Sequence, residues 1–156
     1  MHIPDGFLDA WTVVLTTILA AAGVGLASRQ VRKTIPPARV PLLGLAAAFV
    51  FAAQMLNFPV FGGTSGHLLG GVLVSVLLGP SAGILVITAV LIVQALLFAD
   101  GGVLVLGANI FNMAIVGSAG GYGVYWLVRR VAAGLQGQFM AAAFAVGLAT
   151  AAYEQA

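Results

Sequence analysis

The sequence predicts an all-α fold, a polytopic transmembrane helical bundle of about six spans. Of its 156 residues, 62% are hydrophobic and only 6% are charged, and the mean hydropathy is +1.13. Soluble domains carry about 25% charged residues. So few charges cannot cover a globule in water, so lipid must be the solvent. We expect one transmembrane domain over residues 1–156, in which a short extracellular leader at 1–9 precedes a helical bundle at 10–156.

Prolines, glycines and charged residues divide the chain into apolar segments. The third segment is shorter than the roughly 20 residues needed for a perpendicular crossing, so we expect it to be tilted or half-embedded. A glycine-rich loop at 59–66 comes before it, and Gly79-Pro80 ends it. The predicted segments are 10–28, 41–58, 67–78, 81–99, 104–128 and 138–153.

The basic residues predict the orientation of the bundle. If the third segment counts as a crossing, every Lys and Arg falls on one side, which the positive-inside rule makes cytoplasmic. The four acidic residues, the amino terminus and the loop before His67 then lie outside. The basic residues are Arg29, Arg32, Lys33, Arg39, Arg129 and Arg130, and the acidic ones are Asp5, Asp9, Asp100 and Glu154.

The chain has two histidines, His2 and His67, and no cysteine. The terminal amine of Met1, the backbone nitrogen of His2 and its imidazole can close two fused chelate rings around one metal ion. His67 is predicted on the same membrane face and can supply the fourth nitrogen. A planar set of four nitrogens favours Ni(II) or Cu(II) over tetrahedral Zn(II), with Co(II) less favoured. The alternatives are a disordered terminus and a histidine that only packs or forms a hydrogen bond.

Several polar residues are candidates for support of this site. Ser65 is a possible N-cap of the short third helix, which would place His67 in its first turn. Asn57, Asn109 and Asn112 lie near the outer ends of their segments, where they can orient the ligands. Ordinary capping and interhelical hydrogen bonding are the alternatives for these four residues.

Two further polar residues, Gln54 and Gln94, lie within apolar segments. A polar side chain in hydrocarbon is costly without a partner, so we expect both to face the bundle interior. Interhelical hydrogen bonding is the interpretation that we favour for this pair.

The sequence gives no indication of an enzyme. It has no Walker A pattern for ATP, no HExxH metalloprotease motif and no acidic residue in the middle of a segment. We expect no catalytic residue and no catalytic cofactor. Two alternatives to transport stay open: a membrane metal sensor or storage protein, and an intramembrane enzyme that uses His67 as a base.

Three motifs resemble the CbiM/NikM family, the substrate-binding membrane subunits of nickel and cobalt energy-coupling-factor (ECF) transporters of the ABC class. They are Met1-His2-Ile3-Pro4-Asp5-Gly6-Phe7-Leu8, Gly63-Thr64-Ser65-Gly66-His67-Leu68 and Gly107-Ala108-Asn109-Ile110-Phe111-Asn112-Met113-Ala114. The resemblance runs from residue 1 to about residue 130. It implies that the metal ligands are Met1, His2 and His67, and that Ni(II) or Co(II) is the transported ligand.

The same resemblance implies the protein's surroundings. A membrane coupling subunit, cytoplasmic ATPase subunits and a small accessory membrane subunit are the expected partners, with lipid around the bundle and no nucleic acid. The expected location is the plasma membrane of a prokaryote, with the amino terminus outside and cobalt uptake feeding cobalamin biosynthesis. Members of this family usually continue through another helix, so we expect a truncated chain.

Overall fold

The computed structural model describes residues 2–56, 58–60 and 64–131, which form a helical bundle with one short hairpin. A 3-10 turn, Pro37–Arg39, precedes α2, and α5 continues through a π-helix, Ile110–Gly120, into α6. The helices are α1 (Ala10–Thr34), α2 (Val40–Gln54), α3 (Gly71–Leu78), α4 (Pro80–Leu97), α5 (Leu106–Asn109) and α6 (Gly121–Val131), and the strands are β1 (Phe58–Val60) and β2 (Thr64–Gly66).

Three helical stretches in the described part are long and apolar enough to cross a membrane: Ala10–Thr34, Pro37–Gln54 and Pro80–Leu97. They confirm the predicted class, a membrane bundle of helices. The count of six spans stays a prediction, and the predicted segment 138–153 lies outside the described residues.

Helix α1 runs from an acidic end to a basic end. The Asp9 carboxylate accepts hydrogen bonds from the backbone N–H groups of Trp11 and Thr12 at 3.0 and 3.1 Å, which satisfies donors that a helix start leaves open. The Thr12 hydroxyl also donates to this carboxylate, and these bonds lower the pKa of Asp9. Arg32 and Lys33 lie in the last turn, where cations complement the helix dipole. The orientation of this helix in the membrane stays a prediction.

Helix α4 forms the centre of the bundle. It packs against α1, α2, α3 and the π-helix, and its side chains Ile87 and Leu91 are fully buried. Gly83 brings α4 so close to α3 that an added Cβ would collide with the Ser75 hydroxyl. A buried hydrogen bond also joins α4 to α2, because Gln94 Nε2 donates to Gln54 Oε1 at 2.9 Å. The predicted interhelical role of this pair is confirmed.

The last described helical segment runs without a break from Leu106 to Val131 and matches the predicted segment 104–128. Its middle, Ile110–Gly120, is a π-helix. Such turns are rare and occur frequently at functional sites. The π-helix begins directly after Asn109, so that residue lies at a change of helical geometry.

The connection between α2 and α3 differs from the sequence prediction in two ways. It contains an antiparallel hairpin in which Phe58 pairs with Gly66, where only a glycine-rich loop was expected. The prediction that Ser65 caps the third helix was wrong, because Ser65 lies in β2 and the N-cap of α3 is Gly70. Gly70 adopts the left-handed φ of +73°, which favours glycine. His67 therefore lies before the helix rather than in its first turn.

Candidate metal site

The leader lies against the loop that joins α4 to α5. The Ile3 N–H donates to Asn109 Oδ1 at 2.9 Å, and the Ile3 carbonyl accepts from Asn109 Nδ2 at 3.1 Å. The same carbonyl accepts from the backbone N–H of Gly102 at 3.0 Å. One side-chain amide thus pairs with both main-chain groups of a single residue, using its donor and its acceptor together. This holds the residue next to His2 in one position.

Asp5 fixes the leader a second time. Its Oδ1 accepts from the backbone N–H groups of Leu104 and Val105 at 2.9 and 3.3 Å, which lie just before α5. An added Cβ at Gly102 would collide with this carboxylate, so the loop approaches it closely because residue 102 has no side chain. The Asp5 carboxylate thus ties the leader to the two residues that lead into α5.

His2 is buried at the end of this docked leader, with its side chain only 3% exposed. Its Nδ1 lies 2.9 Å from Asp100 Oδ1, and its Nε2 is buried without a hydrogen-bond partner among the described residues. Gly101, with a φ of +99°, passes so close that an added Cβ would lie 2.7 Å from the His2 Cβ. A buried nitrogen without a partner is costly, and a metal ion is one group that can satisfy it.

His67 reaches the same place from the segment between β2 and α3. The two imidazole centroids are 6.1 Å apart and the rings are nearly parallel, with an interplanar angle of 18°. His67 is only 5% exposed, and its Nδ1 lies 3.3 Å from the Leu68 carbonyl. If Nδ1 carries the proton for that contact, Nε2 keeps its lone pair for a metal. Burial lowers the pKa of His67, so the neutral ligand form is favoured.

The donor set within the described residues points to main-chain participation. No group of three or more His, Cys, Asp or Glu side chains gathers there in a way that would hold a metal ion. Two imidazoles alone leave most coordination schemes incomplete. A chelate that includes the backbone nitrogen of His2 must close through Nδ1, because Nε2 lies on the far side of the ring. That nitrogen is the one that contacts Asp100, so metal binding through it would replace this hydrogen bond.

The structure brings some of the predicted site residues together and leaves others apart or outside the described residues. The structure brings His2, His67 and Asn109 together, whereas Asn112 is half-buried and forms no hydrogen bond to the leader within the described chain. Met1, Asn57 and the side chain of Ser65 lie outside the described residues, so their predicted roles stay predictions.

Sequence reasoning missed the residues that dock the leader. The charge pattern predicted Asp5 and Asp100 on the same face, but no contact was assigned to either of them. The signal available for Asp100 was its position at the end of an apolar segment, directly before Gly101-Gly102. An acidic residue before two glycines is also typical of an ordinary turn.

Comparisons with known proteins give a consistent result. A family model described as the cobalt uptake substrate-specific transmembrane region, CbiM, matches residues 2–154. The chain is 46% identical over 131 residues to a putative metal transport protein of Haloquadratum walsbyi. It is 45% identical over 130 residues to a putative fused nickel transport protein, NikMN, of Archaeoglobus fulgidus, and 39% identical over 135 residues to the cobalt transport protein CbiM of Streptomyces coelicolor.

These three matches cover 84%, 83% and 83% of this chain but only 60%, 43% and 57% of the relatives. The chain therefore spans about half the length of the curated relatives that it matches. Two crystal structures are similar. A transition metal transporter matches with a TM-score of 0.80 and 37% identity, over 97% of this chain and 68% of that one. A truncated transition metal transporter matches with a TM-score of 0.78 and 36% identity, over 96% and 73%.

Proposed function

Because the chain belongs to the CbiM family of cobalt-uptake substrate-specific transmembrane regions, we propose that it captures Ni(II) or Co(II) at the outer face of a prokaryotic plasma membrane. The ligands in this proposal are the terminal amine of Met1, the backbone nitrogen and imidazole of His2, and the imidazole of His67. The protein supplies no covalent chemistry. It organises four nitrogens around the ion and releases them when the bundle changes conformation.

The observation that carries this proposal is the approach of two imidazoles that are 65 positions apart in the sequence. His2 and His67 are the only histidines, and their rings lie 6.1 Å apart and nearly parallel. Metal–imidazole bonds are about 2 Å long and lie in the ring plane, so two imidazoles that share one ion have centroids no more than about 6 Å apart, which this spacing meets. Hydrogen bonds donated by Asn109 and accepted by Asp5 hold a chain terminus that would otherwise be disordered.

Delivery of the ion into the cell requires partners in this proposal. A membrane coupling subunit and cytoplasmic ATPase subunits would supply the energy, since the sequence has no nucleotide-binding motif. The similarity to proteins named as fused nickel transport proteins supports a further small membrane component. Cobalt taken up in this way would be available for cobalamin biosynthesis, whereas planar coordination favours nickel.

The test is calorimetric titration of the untagged protein in detergent with Ni(II), Co(II), Cu(II) and Zn(II). We expect one ion to bind tightly per chain. The affinity should fall by about 100-fold or more in His2→Ala and in His67→Ala, because each substitution removes a ligand from a four-nitrogen set. Asn112→Ala is the control, since Asn112 makes no hydrogen bond to the leader within the described residues. A His67→Ala protein that titrates like the unmodified chain would refute the proposed site.

A further inference from the structure

Two buried glutamines connect the two halves of the candidate site. Gln54 Nε2, at the end of α2, donates to the Leu69 carbonyl at 2.8 Å, and Leu69 follows His67 by two residues. Gln94 Nε2, in α4, donates to Gln54 Oε1 at 2.9 Å. The segment that carries His67 is thereby tied to α4 through two side-chain amides.

The same Gln94 anchors the other half through its main chain. Its carbonyl accepts from the backbone N–H of Asp100 at 3.0 Å, and Asp100 Oδ1 lies 2.9 Å from His2 Nδ1. The path from one imidazole to the other is therefore continuous. It runs from His67 through Gln54 to Gln94, and from there through Asp100 to His2.

Stability alone does not account for this pair. Gln54 is 3% exposed and Gln94 is fully buried, yet Gln94 Oε1 has no hydrogen-bond partner among the described residues. A buried polar pair that is only partly satisfied is less stable than a well-packed apolar pair of the same size. A bundle that needed only to join α2 to α4 could do so with leucine or methionine.

We infer that Gln54 and Gln94 are positioning residues that set the separation of His2 and His67 and so select ions with planar coordination. This inference rests on the proposed function. An ion with planar coordination requires the His67 nitrogen to lie in one plane with the other three nitrogens. The His67 imidazole must therefore be held in nearly one position. A tetrahedral ion such as Zn(II) accepts nitrogens out of that plane. A rigid glutamine pair therefore disfavours Zn(II), and a loosened one admits it.

The variant that tests this is Gln54→Met/Gln94→Met. Methionine has nearly the volume of glutamine, and changing both residues removes donor and acceptor together, so neither amide is left unpaired. Only the Leu69 carbonyl loses its donor. Thr88→Val is the matched control, because Thr88 is buried in the same helix and its hydroxyl donates only to the Ile84 carbonyl.

Three readouts are needed: thermal unfolding, Ni(II) and Zn(II) affinities, and the hyperfine splitting of bound Cu(II) in electron paramagnetic resonance. We expect the double variant to bind Ni(II) about 10- to 100-fold more weakly, the usual cost of losing support around a ligand. Zn(II) affinity should stay unchanged or rise, so the Ni(II)-to-Zn(II) ratio drops about tenfold or more. The Cu(II) splitting should shrink as coordination leaves the plane. Thr88→Val should leave the Ni(II) affinity, the Zn(II) affinity and the Cu(II) splitting unchanged.

The outcomes separate the two proposals. If the double variant keeps the Ni(II)-to-Zn(II) ratio and the Cu(II) splitting of the unmodified protein, the glutamines only join helices and the inference is overturned. If the double variant only unfolds at a lower temperature, and the single variant Gln54→Met keeps the Ni(II)-to-Zn(II) ratio of the unmodified protein, the inference is also overturned. If His2→Ala and His67→Ala bind Ni(II) as tightly as the unmodified protein does, the proposed function fails, whatever the glutamine variants show.

Discussion

His2 and His67 reach one site by opposite means. His2 lies at the end of the chain and is held by polar contacts to a single loop at the edge of the bundle, where the side chain of its partner Asp100 is 41% exposed. His67 lies in the middle of the chain. The segment that follows it is held by a buried amide from Gln54 and by the left-handed turn at Gly70.

The difference separates metal binding from stability. The contacts of the leader can be removed singly without opening the apolar core, so their loss should weaken metal binding and leave the bundle intact. The contacts behind His67 belong to the packing of α2 and α4, so changes there act on both. An added Cβ at Gly70, for example, would lie 2.7 Å from Val50, which is itself fully buried.

The largest expected effect comes from blocking the terminal amine of Met1. Acetylation of this amine removes its lone pair, so the fused chelate rings cannot form with it. We expect Ni(II) affinity to fall by about 1000-fold or more, which corresponds to about 4 kcal/mol. Calorimetric titration measures this change, and unfolding temperature should not move. The experiment uses Lys33→Arg, in which the terminal amine is the only amine that can be acetylated, and the untreated variant is the control. Equal affinities of the treated and untreated variant would contradict the amine as a ligand.

The sequence was informative about this site in one respect and silent in another. The placement of six cations and four anions predicted that His2 and His67 share one membrane face, because the positive-inside rule depends only on the positions of single charged residues. The docking of the leader on the 100–105 loop depends on tertiary contacts between residues about 100 positions apart, such as Asp5 and Leu104. No local pattern encodes such a register.

The wrong assignment of Ser65 has a similar cause. A serine two residues before a histidine and an apolar run is a reasonable start signal for a helix. In the structure, the Gln54 side chain donates a hydrogen bond to the Leu69 carbonyl and Gly70 adopts a left-handed turn. The helix therefore starts later, at Gly71. Tertiary hydrogen bonding has overridden the local signal.

The second prediction uses two glycines with similar backbone conformations. Gly101 has a φ of +99° and Gly79 a φ of +94°, so an alanine at either is strained by about 1–3 kcal/mol. Only at Gly101 would the added Cβ meet His2, because nothing lies within 4 Å at Gly79. We expect both variants to lose similar stability, but only Gly101→Ala to lose Ni(II) affinity, by about 10- to 100-fold.

Thermal unfolding and titration in parallel decide this second case. If Gly79→Ala weakens Ni(II) binding as much as Gly101→Ala, the effect comes from general loss of stability, and the close approach of Gly101 to His2 has no special role.

A smaller effect is expected where α5 contacts the leader through Asn109. Asn109→Ala removes two hydrogen bonds to Ile3, each worth about 0.5–1.5 kcal/mol net. The leader should then be mobile in the metal-free protein, and ordering it on binding should cost about tenfold in Ni(II) affinity. Asn112→Ala, three residues further along, should change affinity by less than about twofold. Comparable losses in the two variants would show that Asn109 acts through the π-helix rather than through the leader.

The smallest expected effect is at Asp100, although it is the nearest polar partner of His2. Two contributions oppose each other there. The carboxylate occupies Nδ1, which a chelated ion must take, but its negative charge also attracts that ion. The Asp100 side chain is 41% exposed, so water screens both the contact with Nδ1 and the attraction for the ion. Each of these two contributions is therefore no more than about 1 kcal/mol.

Asp100→Asn should therefore change Ni(II) affinity by less than about fivefold in either direction. The variant keeps the shape of the side chain and an acceptor oxygen, so His2 stays in place in the metal-free protein. Titration across ionic strength checks the balance, since salt weakens the attraction of the charge for the ion. A loss of more than about tenfold would mean that Asp100 still contacts Nδ1 in the metal-bound state. His2 would then bind the ion through Nε2, the nitrogen that is buried without a partner, and the planar chelate would be excluded.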